Sequence, residues 1–297
     1  MDIPARLIST TALPFARRLL SHPGGEHRTP DGLLVAMPVA DRLRVHHIDR
    51  LMAGDGAPVA DFPTPWTTWF GHTGQSVFLP DLSVAVFSQD DRVRAVDQAG
   101  YARWEWPHPA HPWRPGSAGA VVASPDGARV WAVVPGVDAR GSEGQDLVVL
   151  SADDGHLLAR TTLLDRTEPH PSLTVHPDGR HLGVNFVDQD HSSLFWAVLE
   201  FGGAIRTWAV ECDEEKVVDV RADGQLVASY SLQGYFVAQR RFPDGELLEE
   251  TDNQEMRALL EGDGENDGDG EDDGDYWRYT WERSTGFIDD RTVLAVL

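Results

Sequence analysis

The chain has very little cysteine and lysine and no long apolar segment. Among its 297 residues, Cys212 is the only cysteine and Lys216 is the only lysine. One thiol cannot form an internal disulfide, which is compatible with a reducing compartment. The first twenty residues carry Asp2, Arg6 and Arg17, with no apolar run long enough for a signal peptide or a membrane span. We therefore expect a cytoplasmic protein without membrane contact, and the use of arginine in place of lysine indicates a GC-rich, bacterial genome.

Basic side chains are scarce relative to acidic ones. The 48 Asp and Glu residues outnumber the 25 Lys and Arg residues, which gives a formal net charge of -23. Binding to phosphate backbones depends on clustered Lys and Arg. The composition therefore argues against nucleic acid as a main partner and describes a single acidic domain over residues 1–297.

Part of the negative charge is concentrated in residues 261–275, which contain nine acids and no apolar side chain. A calcium loop of the EF-hand type needs a bidentate Glu at its twelfth position. A loop that begins at Asp263 reaches Gly274 there, and one that begins at Asp269 reaches Thr280. We therefore interpret this segment as a disordered, self-repelling insertion within the domain rather than a calcium site.

One turn recurs along the chain beside apolar, strand-like runs. Its acidic residue is followed by glycine in four cases, whereas the second copy is a weaker Pro-Asp version. Successive copies are 45 to 52 residues apart, at Asp31, Asp81, Asp126, Asp178 and Asp223. A period of this length is typical of a four-stranded propeller blade.

Each repeat reads as a hairpin followed by further strands. Short β-branched runs flank the turn, as in residues 119–134, 173–186 and 217–230. A third run follows in residues 92–96, 147–150, 194–199 and 235–239, and a fourth in residues 101–106, 156–160 and 246–249. Because a β-sandwich has no reason to reproduce the same turn at the same phase, the pattern favours a propeller over that alternative.

The repeats resemble a known group of propellers. Gly71-His72, Val77-Phe-Leu-Pro-Asp81 and residues 88–97 resemble one degenerate WD40-type repeat, and Ser124-Pro-Asp-Gly127 is similar to the hairpins of WD40-like and lactonase-type propellers. The closing Trp-Asp pair of WD40 repeats is found nowhere in the chain. The resemblance implies an all-β propeller architecture and transfers no functional residue.

The number of turns predicts six blades, with seven as the alternative. A sixth hairpin lies in residues 285–297, 66 residues after the fifth turn when counted from Asp223 to Asp289, and the acidic insertion accounts for the excess. Only two strands of that blade are visible in the sequence. We expect residues 3–21 to close the last blade, because closure removes an exposed strand edge.

The predicted binding face holds the connectors between second and third strands and between consecutive blades. It is acidic and aromatic, and such a surface suits a basic, arginine-containing segment of a protein or peptide that pairs with carboxylates and stacks on tryptophan. We expect a monomer with this face as its binding platform. The candidate binding residues are Trp66, Trp69, Asp90, Asp91, His108, His111, Trp113, Asp138, His170, Asp188, Asp190 and His191.

An enzymatic alternative stays open. In a lactonase-like or hydrolase-like propeller, acids and histidines at the channel mouth would bind a metal or act as a general base. However, no Gly-x-Ser-x-Gly elbow is present, and Cys212 lies among acids that would raise its thiol pKa. Prolines flank His108 and His111, which favours an extended connector over a metal site. We therefore predict no catalytic residue, no metal and no cofactor.

Overall fold

The computed structural model describes eleven stretches of the chain: residues 26–29, 32–65, 75–110, 119–137, 143–164, 171–188, 191–210, 215–231, 236–252, 286–287 and 293–294. These stretches form five four-stranded antiparallel sheets and one two-stranded sheet. In every four-stranded sheet the strands pair in chain order, as expected for propeller blades. The chain is therefore an all-β propeller.

Each blade has four strands. The one described helix, α1 (Ile48–Met52), follows the third strand of the first blade. Blade 1 comprises β1 (Glu26–Thr29), β2 (Gly32–Val39), β3 (Arg42–His47) and β4 (Ala60–Pro63). Blade 2 comprises β5 (Ser76–Phe78), β6 (Val84–Ser88), β7 (Arg92–Asp97) and β8 (Ala102–Pro107). Blade 3 comprises β9 (Ala120–Ala123), β10 (Arg129–Val137), β11 (Glu143–Ser151) and β12 (Leu157–Leu164).

Blades 4 and 5 follow the same plan. Blade 4 comprises β13 (Pro171–Val175), β14 (His181–Asp188), β15 (His191–Leu199) and β16 (Ile205–Val210). Blade 5 comprises β17 (Glu215–Val220), β18 (Leu226–Ser231), β19 (Phe236–Arg241) and β20 (Leu247–Asp252). A final hairpin pairs β21 (Gly286–Phe287) with β22 (Val293–Leu294). The third and fourth runs expected from the sequence coincide with strands.

Neighbouring blades pack face to face around their innermost strands. β5 contacts β9, β9 contacts β13, and β13 contacts β17. Apolar side chains from both faces of each blade fill the space between blades, so the core is divided into several interblade clusters. Trp131 is 0% exposed and Trp196 is 2% exposed. These two strand tryptophans therefore belong to the interblade core.

The recurring turn joins the first and second strands of its blade, which confirms the repeat. In four blades the aspartate carboxylate accepts a hydrogen bond from the backbone N–H two residues later, at 2.8 to 3.0 Å. These aspartates are Asp81, Asp126, Asp178 and Asp223. The side-chain carboxylate of an aspartate at this position supplies an acceptor for a backbone N–H of the tight turn. We name the face of the propeller that carries these turns, and those between third and fourth strands, the turn face.

The prediction of six blades, or of seven, is wrong: the described residues form five. The expected sixth hairpin does form, and β21 lies beside β17. It is, however, only a two-stranded sheet. The recurring turn marks a hairpin of two strands, whereas a blade needs four paired strands, so the number of turns overestimates the number of blades. Residues 3–21, expected to close the last blade, and the acidic insertion of residues 261–275 lie outside the described residues. In the described part of the chain, no helix is long and apolar enough to span a membrane.

Candidate functional site

Three of the predicted binding residues have described side chains, and all three lie in blade 2. Asp90 and Asp91 are exposed in the turn between β6 and β7. Asp91 accepts hydrogen bonds from Nε and Nη2 of Arg92, both at 2.8 Å, and this interaction lowers the pKa of Asp91. His108 donates its backbone N–H to the carbonyl of Asp91 at 2.9 Å. The structure therefore brings Asp91 and His108 together.

His108 itself is 8% exposed, and burial lowers the pKa of its imidazole. Its Nδ1 lies 2.9 Å from the carbonyl of Pro109. Asp188 and His191 are paired in register at the end of β14 and the start of β15. The remaining predicted residues lie outside the described residues and stay predictions: Trp66, Trp69, His111, Trp113, Asp138, His170 and Asp190.

The turn face carries a cleft that the sequence did not predict. It lies between β16 of blade 4 and the turn from β19 to β20 of blade 5, in two adjoining parts of about 440 and 640 Å³ that share Trp208 and Pro243. Both parts are open to solvent. The lining residues are His181, Arg206, Trp208, Ala209, Val210, Phe242, Pro243, Asp244, Gly245 and Glu246.

Three of the β16 residues that line the cleft follow the two-residue period of a strand. Arg206, Trp208 and Val210 alternate with Thr207 and Ala209 and therefore point to the same side. Trp208 and Val210 pack on the apolar cluster that joins blades 4 and 5. Strand alternation thus places an indole and a guanidinium side by side at the blade boundary.

The wall opposite β16 is held by ring contacts. The Phe242 ring lies with its centroid 4.4 Å from that of His176, 4.8 Å from that of Trp196 and 5.2 Å from that of His181. The His181 ring in turn meets Trp208 edge to face at 6.0 Å. Aromatic pairs at these separations are attractive beyond their buried area. The rings therefore fix this wall of the cleft.

Charges of both signs surround the Trp208 ring. The guanidinium of Arg206 lies 5.4 Å from the ring centroid, and its Nε donates to Glu200 at 3.2 Å. Across the cleft, Asp244 and Glu246 are both exposed, and Glu246 forms an ion pair with Arg241. The indole already accepts a guanidinium over its face, and two carboxylates stand on the opposite wall.

Next to His181, which lines the cleft, Asp178 lies within hydrogen-bond distance of two histidine rings. Its carboxylate accepts hydrogen bonds from the backbone N–H of Arg180 at 2.8 Å and of His181 at 3.0 Å, and from Nδ1 of His181 at 2.7 Å. Burial alone would raise the pKa of Asp178, but these hydrogen bonds hold it at about 2. His176 lies 3.0 Å from the same carboxylate. Within the described residues, this is the one group of three His, Cys, Asp or Glu whose donor atoms are all within 4.8 Å.

Asp178→Asn should lower the free energy of unfolding at neutral pH and make that free energy less dependent on pH in the acid range. Because the pKa of Asp178 is below its ordinary value of 3.8, the ionised carboxylate stabilises the fold above about pH 4, and this contribution is lost as the pH falls to about 2. At neutral pH we expect a loss of about 1–2 kcal/mol in the free energy of unfolding, a value reduced for solvent screening because the side chain is 39% exposed.

Urea unfolding between pH 2 and pH 7 tests this expectation. Asp81→Asn, at the equivalent turn of blade 2, is the matched control, because Asp81 bonds Ser83 and no histidine. Asp81→Asn should lower the free energy of unfolding by less than Asp178→Asn does. If Asp178→Asn keeps the full acid dependence of the original protein, Asp178 does not contribute as described.

Sequence reasoning missed the cleft for two reasons. No fourth run was identified in the fourth repeat, so β16 and the position of Trp208 were unknown. The candidate residues were also sought on the connectors opposite the turn face. The alternating pattern of residues 205–210, directly after Gly202-Gly203, is the signal that could have found the strand.

No protein-family model matches the chain, and no curated protein matches it in sequence. Among solved structures, the β-propeller domain of Cps50 (Swd1) from Myceliophteria thermophila is 14% identical with a TM-score of 0.51, over 77% of this chain and 73% of that one. Regucalcin from Agrobacterium tumefaciens, described as a calcium-binding protein, is 16% identical with a TM-score of 0.47, over 78% of this chain and 74% of that one. Hydrazine synthase from Kuenenia stuttgartiensis is 13% identical with a TM-score of 0.49.

The last alignment covers 73% of this chain and 63% of the hydrazine synthase chain, so this chain spans less than two thirds of that protein. All three identities are far below the level at which an activity can be transferred between proteins. The Cps50 structure, with a TM-score of 0.51, therefore agrees with the β-propeller architecture, and the function is argued from the site.

Proposed function

We propose that the protein is a non-enzymatic propeller that binds an arginine-containing segment of a protein or peptide in the cleft between blades 4 and 5. The observation that carries this proposal is that Trp208 lines one open cleft together with the acidic residues Asp244 and Glu246. A guanidinium that stacks on an indole while pairing with carboxylates uses both of its binding modes at once.

The backbone supports the same occupant. β16 is the outermost strand of blade 4 and pairs only with β15 among the described strands. Extended peptides commonly add along such an edge, where main-chain hydrogen bonds supply affinity and side-chain pockets supply specificity. The cleft runs beside this edge, so an arginine on an added segment would reach Trp208 while the segment stays extended.

The neighbouring Asp178 and His181 favour a second candidate, a hydrolase that uses His181 as a general base. Nδ1 of His181 lies 2.7 Å from Asp178, which is how a carboxylate orients a catalytic imidazole. Among the described residues, those that line the cleft include no Ser, Thr, Cys or Lys that could serve as a nucleophile. Such an enzyme would have to activate water directly, and hydrolysis of an ester or lactone that disappears in His181→Gln would favour it over a binding protein.

A positional peptide library tests the binding proposal. Ten-residue peptides vary at every position except a central one held as arginine, lysine, glutamate or leucine, and the best arginine peptide is remade with citrulline, which keeps the shape without the charge. We expect arginine to be selected and citrulline to weaken binding at least about 10-fold. Trp208→Ala, and Asp244→Asn combined with Glu246→Gln, should each weaken binding by a similar factor.

Asp90→Asn combined with Asp91→Asn is the control, because it makes the same charge change on the face predicted from the sequence. It should alter the dissociation constant less than about 2-fold. If the control weakens binding and the cleft variants do not, the binding site is the predicted face. If no peptide set is preferred, or citrulline binds as well as arginine, the proposal of arginine recognition is wrong.

A further inference from the structure

The hairpin between β13 and β14 differs from its counterparts in the other blades. It reads His176-Pro-Asp-Gly-Arg-His181, with a histidine on each side of the turn aspartate. In blade 3 the two equivalent positions hold Ser124 and Arg129, and in blade 5 they hold Arg221 and Leu226. All of these turns close with the same aspartate, so turn formation does not by itself require either histidine.

The three side chains present donor atoms at the spacing of a metal site. Nδ1 of His176 lies 3.0 Å from Oδ1 of Asp178, and Nδ1 of His181 lies 2.7 Å from Oδ2. All three donor atoms fall within 4.8 Å of one another. In a tetrahedral zinc site with bonds of about 2.0–2.1 Å, neighbouring ligand atoms are about 3.3 Å apart. The two nitrogen-to-carboxylate distances are therefore close to the spacing of such a site, and the third separation, between the two histidine nitrogens, is at most 4.8 Å.

A hydrogen bond to the backbone holds His176 in the tautomer with its proton on Nε2, which leaves Nδ1 free to bind a metal. Its Nε2 lies 3.0 Å from the carbonyl of Gly224 and donates to it, which leaves the lone pair of Nδ1 directed toward Asp178. A ring N–H donated to a backbone carbonyl is the usual outer-shell partner of a metal-bound histidine. The backbone N–H of Asp178 approaches the same Nδ1 at 3.2 Å, and this long hydrogen bond is the contact that an ion would replace.

Access is available from one side. His176 is buried between blades 4 and 5, whereas Asp178 and His181 are partly exposed. Water can therefore reach the group and supply a fourth ligand.

We propose that His176, Asp178 and His181 bind one divalent transition-metal ion, with Zn²⁺ as the best fit. Two imidazoles and one carboxylate suit borderline ions such as Zn²⁺, whereas Ca²⁺ takes oxygen ligands. Binding through Nδ1 of His181 requires the tautomer with the ring proton on Nε2, so this proton moves from Nδ1 to Nε2 by exchange with solvent, and two metal bonds replace the His181 to Asp178 hydrogen bond. The ion would link the turn of blade 4 to His181, which lines the cleft.

Zinc titration of the full chain without a histidine tag, after removal of metals with EDTA, tests the proposal. Calorimetry should show one equivalent of Zn²⁺ per chain, and zinc should raise the melting temperature. His181→Gln should weaken zinc binding at least about 10-fold and abolish the rise in melting temperature. His156→Gln, which changes a histidine on the turn between β11 and β12, should leave both unchanged.

A measurement on the unaltered protein guards against a variant that fails to fold. The imidazole ¹⁵N resonances of His176 and His181 should shift at Nδ1 rather than at Nε2 when zinc is added. Unchanged resonances, or zinc affinity in His181→Gln equal to that of the unaltered protein, would rule the site out. Peptide binding to the cleft is measured in EDTA, so the two proposals succeed or fail separately.

Discussion

Gly224→Ala is expected to destabilise the propeller by about 2–4 kcal/mol, because the new methyl group meets the buried ring of His176. A Cβ at this position would lie 2.6 Å from Cε1 and 2.7 Å from Nε2 of that ring. The ring cannot move aside easily, since it packs on Phe242 at 4.4 Å and donates to the Gly224 carbonyl. Gly224 also has a φ of +73°, which costs an L-residue about 1–2 kcal/mol.

Urea unfolding of Gly224→Ala and Gly202→Ala measures this effect against a matched control. Gly202 lies in the turn between β15 and β16, and a Cβ there meets nothing within 4 Å. Its replacement should change the free energy of unfolding by less than about 0.5 kcal/mol. Equal stability of the two variants would show that Gly224, in the turn of blade 5, does not pack against the His176 ring as described.

Arg240→Met should cost about 3–5 kcal/mol, because it leaves a buried carboxylate without its cation. Glu215 is 4% exposed and Arg240 is 15% exposed. Arg240 donates from Nε to Glu215 at 2.8 Å and from Nη2 to the second oxygen, and its Nη1 donates to the carbonyl of Gly245 at 2.9 Å. Gly245 lines the cleft, so the same side chain also fixes one cleft wall.

Chemical unfolding of the single variant and of Glu215→Gln combined with Arg240→Met separates the two contributions. The double variant removes both charges and should recover part of the lost stability, since the uncompensated carboxylate is gone. If the single variant unfolds at the same denaturant concentration as the original protein, the ion pair is not buried in solution.

The sequence contains enough information to predict the arrangement of strands within a blade, because each aspartate turn joins the first two strands of its blade. Asp126, Asp178 and Asp223 cap their turns in the same way wherever they occur, and the strands on either side follow from β-branched residues. The number of blades could not be obtained in this way. The hairpin of β21 and β22 carries the pattern of a blade, but two strands do not complete one.

The cleft was beyond sequence reasoning because it depends on the packing of two blades. Trp208 was one of ten tryptophans in the chain. Its neighbours across the cleft, Phe242 and Asp244, come from a turn more than thirty residues later in the chain. Only the register of β16 against β15 and the contact between blades 4 and 5 bring these side chains together.

The central claim is that an arginine-containing segment occupies the cleft on the turn face. Hydrogen exchange of backbone amides, with and without the arginine peptide selected from the library, tests it most directly. We expect slower exchange in residues 205–210 and 242–246, and unchanged exchange in residues 88–92 of blade 2. Protection of residues 88–92 with none in β16 or the turn that follows β19 would contradict this account.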